Sequence, residues 1–143
     1  MAKEDELGQL AAELRVTAFQ LVRRLRNESQ VEGLTDAQLS VLMHLSRIGP
    51  STPGQLAEYE RVSAPSMNRT VNGLAAAGAV RRVADPDDGR RVLVEVTERG
   101  AQIVQAARKR RSAWLRAELK PLSKKDRAAL ARAAELLGGM LAK

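Results

Sequence analysis

The chain is 143 residues long, with a formal net charge of +7, a pI near 10.5, no cysteine, and Phe19, Tyr59 and Trp114 as its aromatic residues. That length excludes two large domains, and the missing cysteines exclude disulfides, Cys-ligated zinc, iron–sulfur clusters and a thiol switch. The basic balance suits phosphate or an anionic surface, three rings are too few for a single-strand stacking platform, and no signal-like or roughly 18-residue apolar run occurs, so a soluble cytoplasmic protein without a membrane span is expected.

From Glu6 to about Gln30, Leu7, Leu10, Ala11, Leu14, Ala18, Leu21, Val22 and Leu25 recur at three- and four-residue steps. The spacing predicts an amphipathic helix of roughly 24 residues, longer than a small domain requires. Thr35-Asp36-Ala37-Gln38 is a capping box, so a second helix starts there, turns Leu39, Leu42, Met43 and Leu45 inward, and stops before Gly49-Pro50. Thr52-Pro53-Gly54-Gln55 repeats the pattern with proline at the first helical position and opens a short third helix through Leu56, Ala57 and Tyr59.

Only Glu60 to Val62 separate that helix from the next, Ser63 to Gly78. Here Met67, Val71 and Leu74 share one side, while Pro65, Ser66, Arg69, Asn72 and Gly73 share the other, with Asn68 at its edge. The second side is acid-free and nearly free of bulk, which suits close approach to base edges and phosphates. Two short helices joined by so tight a turn form a helix-turn-helix pattern whose second helix, with Ser63, Pro65, Ser66, Asn68, Arg69 and Asn72, is the expected reading element.

Gly78 ends that helix, and Val80–Val83 and Val92–Val96 are predicted strands of a hairpin. The loop between them, Ala84 to Arg91, is rich in turn formers and ends in Arg90 and Arg91, making a cationic wing able to reach a minor groove. Thr97-Glu98-Arg99-Gly100 caps a fifth helix running to Pro121, and Ser123-Lys124-Lys125-Asp126 is a further capping box before a last helix with Leu130, Leu136, Leu137, Met140 and Leu141 in register. The fold expected is therefore mainly α with a small β-hairpin wing. Residues 35–97 form the winged helix-turn-helix lobe, and residues 1–34 and 98–143 form long helices whose apolar stripes a two-fold homodimer would bury.

The order of elements resembles the MarR family of bacterial transcriptional regulators. The sharpest likeness is Asp85-Pro86-Asp87-Asp88-Gly89-Arg90, continuing to Val96-Thr97-Glu98-Arg99-Gly100, which is similar to the family pattern D-P-x-D-x-R followed by a strand and L-T-x-x-G, with Val96 in place of the usual Leu. The resemblance implies that Arg90 enters the minor groove with Asp88 holding it, and that Ser66, Asn68 and Arg69 stand where relatives touch bases or phosphates. It further implies a dimer on a pseudopalindromic double-stranded operator, and release by a small phenolic or anionic effector lodged between the dimer arms and the lobe. Phe19 and His44 are the candidate effector contacts, set against their alternative as packing residues.

Other constellations carry less. Ala84 to Glu95 has the glycine and terminal Glu of a calcium loop, but Ala84 and Pro86 stand where side-chain ligands are needed. His44 is the sole histidine, so no metal-ligand spacing exists; no nucleophile has a base partner and no Gly-rich phosphate loop is present, so neither an enzyme nor a cofactor is expected. The run Arg108-Lys109-Arg110-Arg111 reads as a solvated face rather than a phosphate contact. Two alternatives to a sequence-reading regulator are a basic architectural DNA-coating protein and a helical protein-binding scaffold.

Overall fold

A computed structural model of the chain describes residues 2–143. The described residues form α1 (Ala2–Glu28), α2 (Asp36–Ile48), α3 (Pro53–Glu60), α4 (Ala64–Ala76), β1 (Val80–Ala84), β2 (Val92–Val96), α5 (Glu98–Leu119) and α6 (Lys124–Leu141). The winged helix-turn-helix order expected from the pattern is the order observed. Local chemistry starts each element. Thr35 with Gln38, and Thr52 with Gln55, close reciprocal capping boxes, and Thr97 Oγ1 accepts from the Gly100 N–H at 3.1 Å. Ser123 makes only half of the expected box: its Oγ accepts from the Asp126 N–H, with no return bond, because Asp is one methylene shorter than Glu or Gln.

α1 begins earlier than the apolar spacing predicted. Glu4 and Asp5 sit in its first turn, where the helix dipole favours acids. Just past its end, the Ser29 hydroxyl donates to the Leu25 carbonyl at 3.0 Å while its oxygen accepts from Arg111 Nε at 2.7 Å. Arg110 also donates to the Gln30 carbonyl, so two members of the basic run expected to be a solvated face instead fasten the end of α1 to α5.

One apolar core holds the centre. Val41, Leu42 and Leu45 of α2, Leu56 of α3, Met67, Val71 and Leu74 of α4, Val80 and Val94 of the hairpin and Val104 of α5 are all buried together. β1 and β2 pair antiparallel with Val80 opposite Val96 and Arg82 opposite Val94. A third short rung, which no sequence period announces, joins Ser51 to Val94 through two backbone bonds of 3.1 and 2.8 Å.

The first turn of α5 lies hard against the start of β1. Thr97 N–H donates to the Ala79 carbonyl at 3.0 Å and Thr97 Oγ1 donates to the Gly78 carbonyl at 2.6 Å. A Cβ on Gly100 would overlap the Ala79 carbonyl oxygen and Val96, so glycine is required there by close approach. Away from the core the helices are bare. α6 contributes no buried residue, and Leu7, Leu10, Phe19, Leu136, Met140 and Leu141 stand exposed, Leu141 at 84%.

Candidate nucleic-acid interface

α4 is held by one face and offers the other. Met67, Val71 and Leu74 are buried, which leaves Pro65, Asn68, Arg69 and Asn72 exposed and Ser66 and Thr70 half-buried at the border. Its N-cap is Ser63, whose Oγ accepts from the Ser66 N–H at 3.2 Å, so the Ser63 hydroxyl keeps a proton to offer outward. Proline occupies the first turn and no acid lies on the helix, so the exposed backbone N–H groups and the positive dipole end meet no competing carboxylate.

Two residues of the expected polar face do something else. Asn72 Oδ1 accepts from the Arg82 guanidinium at 2.6 Å, tying α4 to β1. Gly73 faces the Gln38 side chain so closely that a Cβ would collide with it; it belongs to the packing of α4 on the N-terminus of α2.

The wing is a set of short loops closed by its own aspartates. Asp85 N–H donates to the Arg91 carbonyl at 3.0 Å, Asp85 Oδ1 accepts from the Asp87 N–H at 2.9 Å, and Asp88 Oδ1 accepts from the Arg90 N–H at 3.1 Å. The contact between Asp88 and Arg90 in the structure is thus made through the Arg90 backbone. Arg91, also expected at the tip, has its Nε 4.0 Å from Asp85 Oδ2.

The charge of the lobe is spent selectively. Between 35 and 97 acids and arginines balance and lysine is missing, so the excess of +7 lies on the flanking helices rather than on the expected reading lobe. Of the lobe's arginines, Arg47 donates to Tyr59, Arg81 pairs with Glu95 at 2.6 Å, Arg82 binds Asn72 and Arg91 approaches Asp85. Arg61, Arg69 and Arg90 have no side-chain partner among the described residues, and all three are exposed. They occupy the turn before α4, the face of α4 and the tip of the wing. Neither Arg61 nor Arg82 was singled out from the sequence; the usable sign for Arg61 is a tight turn, Glu60 to Val62, with no glycine in it.

A cavity of about 480 Å³ lies between α1 and α5 on one side and α2 with Tyr59 of α3 on the other. Arg26, Arg47, Arg108 and Arg111 line it together with Asp36 and His44. His44 is only 8% exposed and its ring stacks on Tyr59 at 3.7 Å between centroids. Burial holds its pKa below the usual 6.5, the neighbouring Arg47 adds to this, and Glu60 opposes it. Burial and the adjacent Arg26 likewise lower the pKa of Arg111, against Asp36. Phe19 does not line this cavity. It is 71% exposed beside an adjoining cleft that shares Val22, Arg26 and Asp36, so the two candidate effector contacts are not brought into one pocket. Trp114, half-buried, carries the Arg24 guanidinium 5.3 Å over its ring.

Comparison with known proteins agrees with the geometry. A sequence model of the MarR family matches residues 32–91. An uncharacterised HTH-type transcriptional regulator of Mycobacterium bovis is 42% identical over 93% of both chains, and the multiple antibiotic resistance protein MarR of Salmonella typhimurium is 31% identical over 68% of this chain and 67% of its own. A solved transcriptional regulator of Pseudomonas aeruginosa superposes with a TM-score of 0.85 over 97% of each chain at 33% identity. Among the described residues no helix is long and apolar enough to cross a membrane. With its winged helix-turn-helix and these relatives, the chain belongs to the MarR family of transcriptional regulators.

Proposed function

We propose that the protein is a homodimeric repressor that binds a pseudopalindromic double-stranded operator, reads the major groove with Ser66, Asn68 and Arg69 of α4, and reaches the flanking minor groove with Arg90. The observation that carries this reading is the placement of an unpartnered Arg69 on an acid-free face of α4 whose opposite face is locked in the core. Ser63 and Pro65 shape the entry of that helix, and Arg91 and Asp88 shape the wing. The domain division follows: 35–97 contacts DNA, and 1–34 with 98–143 dimerise through the exposed apolar residues of α1 and α6. Half-sites then lie about one duplex turn apart, roughly 34 Å.

Release by a small anionic effector is part of the same reading. Four arginines against one aspartate around the cavity at the arm–lobe junction favour an anion, and His44 with Tyr59 supplies a ring surface for an aromatic one. Phe19 is the weaker contact, lying in the adjoining cleft.

The alternative is a coating protein that binds any duplex through charge. The neutral lobe speaks against it, since the excess charge lies outside residues 35–97. Fragments of the source genome selected by the purified protein, then titrated against mixed-sequence competitor at fixed salt, test the two. A sequence reader gives a specificity ratio of roughly 10³ or more, and a ratio near unity refutes operator recognition.

A further inference from the structure

The two helices of the helix-turn-helix end in the same backbone motif but with opposite choices of residue. At the end of α4, Ala79 N–H donates to the Leu74 carbonyl at 2.9 Å and Gly78 N–H to Ala75 at 3.0 Å, with Gly78 left-handed at φ 74°. At the end of α3, Val62 N–H donates to the Ala57 carbonyl at 3.0 Å and Arg61 N–H to Glu58 at 3.3 Å, with Arg61 left-handed at φ 55°, ψ 46°. Both are Schellman closures, whose turning residue is ordinarily glycine because a Cβ there crowds the following carbonyl. Arg61 is the one non-glycine at positive φ among the described residues. A strained non-glycine that persists in a binding element points to work done by its side chain.

The Arg61 side chain does no such work inside the subunit. It is exposed, and among the described residues it forms no ion pair or side-chain hydrogen bond, even though Glu58 and Glu60 are near in sequence; Glu60 accepts instead from Ser40 Oγ at 3.1 Å. A cation just past a helix C-terminus does gain from the dipole of that helix, but a lysine or arginine inside the last turn would gain the same without left-handed strain, and α3 has none there. Position decides between these. Arg61 stands two residues before the Ser63 N-cap, at the end of α4 from which a reading helix enters a groove, and it shares its unpartnered state with Arg69 and Arg90.

We propose that Arg61 is a DNA phosphate contact at the groove edge beside the N-terminus of α4, retained in a glycine-favouring position for its charge. The inference rests on the DNA-binding reading above and adds a sequence-independent contact to it. A phosphate contact releases counterions, so it appears in the salt dependence of binding and not in base preference.

The test uses the full-length protein, a mixed-sequence duplex as probe and a series of salt concentrations, with Arg61→Gly, Arg61→Lys and the parent side by side. Arg61→Gly is expected to reduce the slope of log K against log salt by about 0.9 per lost contact and to weaken binding to all sequences equally. The same variant should unfold at higher denaturant, by about threefold in the folding equilibrium, because the left-handed strain is relieved. Arg61→Lys should keep the parental slope. A parental slope in Arg61→Gly, with the parent binding normally, overturns the role of Arg61 and leaves the DNA reading standing. A parent that binds no duplex even at low salt overturns both.

Discussion

The Arg82 guanidinium donates to Asn72 Oδ1 at 2.6 Å and joins β1 to α4. A guanidinium has no acceptor, so the amide oxygen must face it, and the amide nitrogen remains as the outward donor. Asn72 therefore acts as a strut between α4 and β1. Arg82→Ala and Asn72→Ala should not add: a double-mutant cycle in DNA affinity is expected to give about 0.5–1 kcal/mol of coupling. Strict additivity would return Asn72 to independent groove reading.

Gly100→Ala should be among the most damaging single-methyl additions in the chain. The new Cβ has to push against the Ala79 carbonyl, which already accepts from Thr97 N–H, so β1 and α5 must separate. Overpacking of this kind costs about 1–3 kcal/mol, and the urea midpoint should fall with the slope of the transition unchanged. An unaltered midpoint would mean that the two elements are free to move apart.

His44 makes stability depend on pH. Its pKa in the folded chain is depressed, so the folded state binds the proton less readily than the unfolded chain does. The contribution is fully present above pH 6.5 and is lost as pH falls from there through the depressed value. Denaturant titrations on either side of pH 6.5 should show this loss for the parent and a smaller one for His44→Phe, which keeps a ring for Tyr59 to stack on. Identical pH dependence in the two proteins would assign the effect to other groups.

The exposed apolar residues of the terminal helices make a separate prediction. Leu136 is 53% exposed in the single subunit, so Leu136→Glu should not disturb an isolated chain. If two subunits bury that stripe, the variant should sediment as a monomer and lose DNA affinity, because each half-site is then held alone. A dimer of unchanged stability would place the interface elsewhere.

How much of this was legible beforehand differs by element. Capping chemistry is local, so Thr35, Thr52, Thr97 and Ser123 each mark a helix start that the structure realises. The wing was legible because Asp85, Asp88 and Gly89 sit between two β-branched runs. The Ser51–Val94 rung was not, since a single paired residue has no periodicity. Helical spacing puts Gly73 on the polar face because it gives direction but not what stands opposite, and Gln38 stands there. Whole-chain charge misled in the same way: the sum is +7, but only the three-dimensional pairing separates arginines already engaged from Arg61, Arg69 and Arg90.

Sequence reading by α4 is tested most directly by Arg69→Ala, measured in competition between selected operator and mixed-sequence DNA at one salt concentration. The expected result is a loss of about 1–3 kcal/mol on the operator, with relaxed preference at one base pair and little change on competitor DNA. Equal operator preference in the variant and the parent would contradict the account.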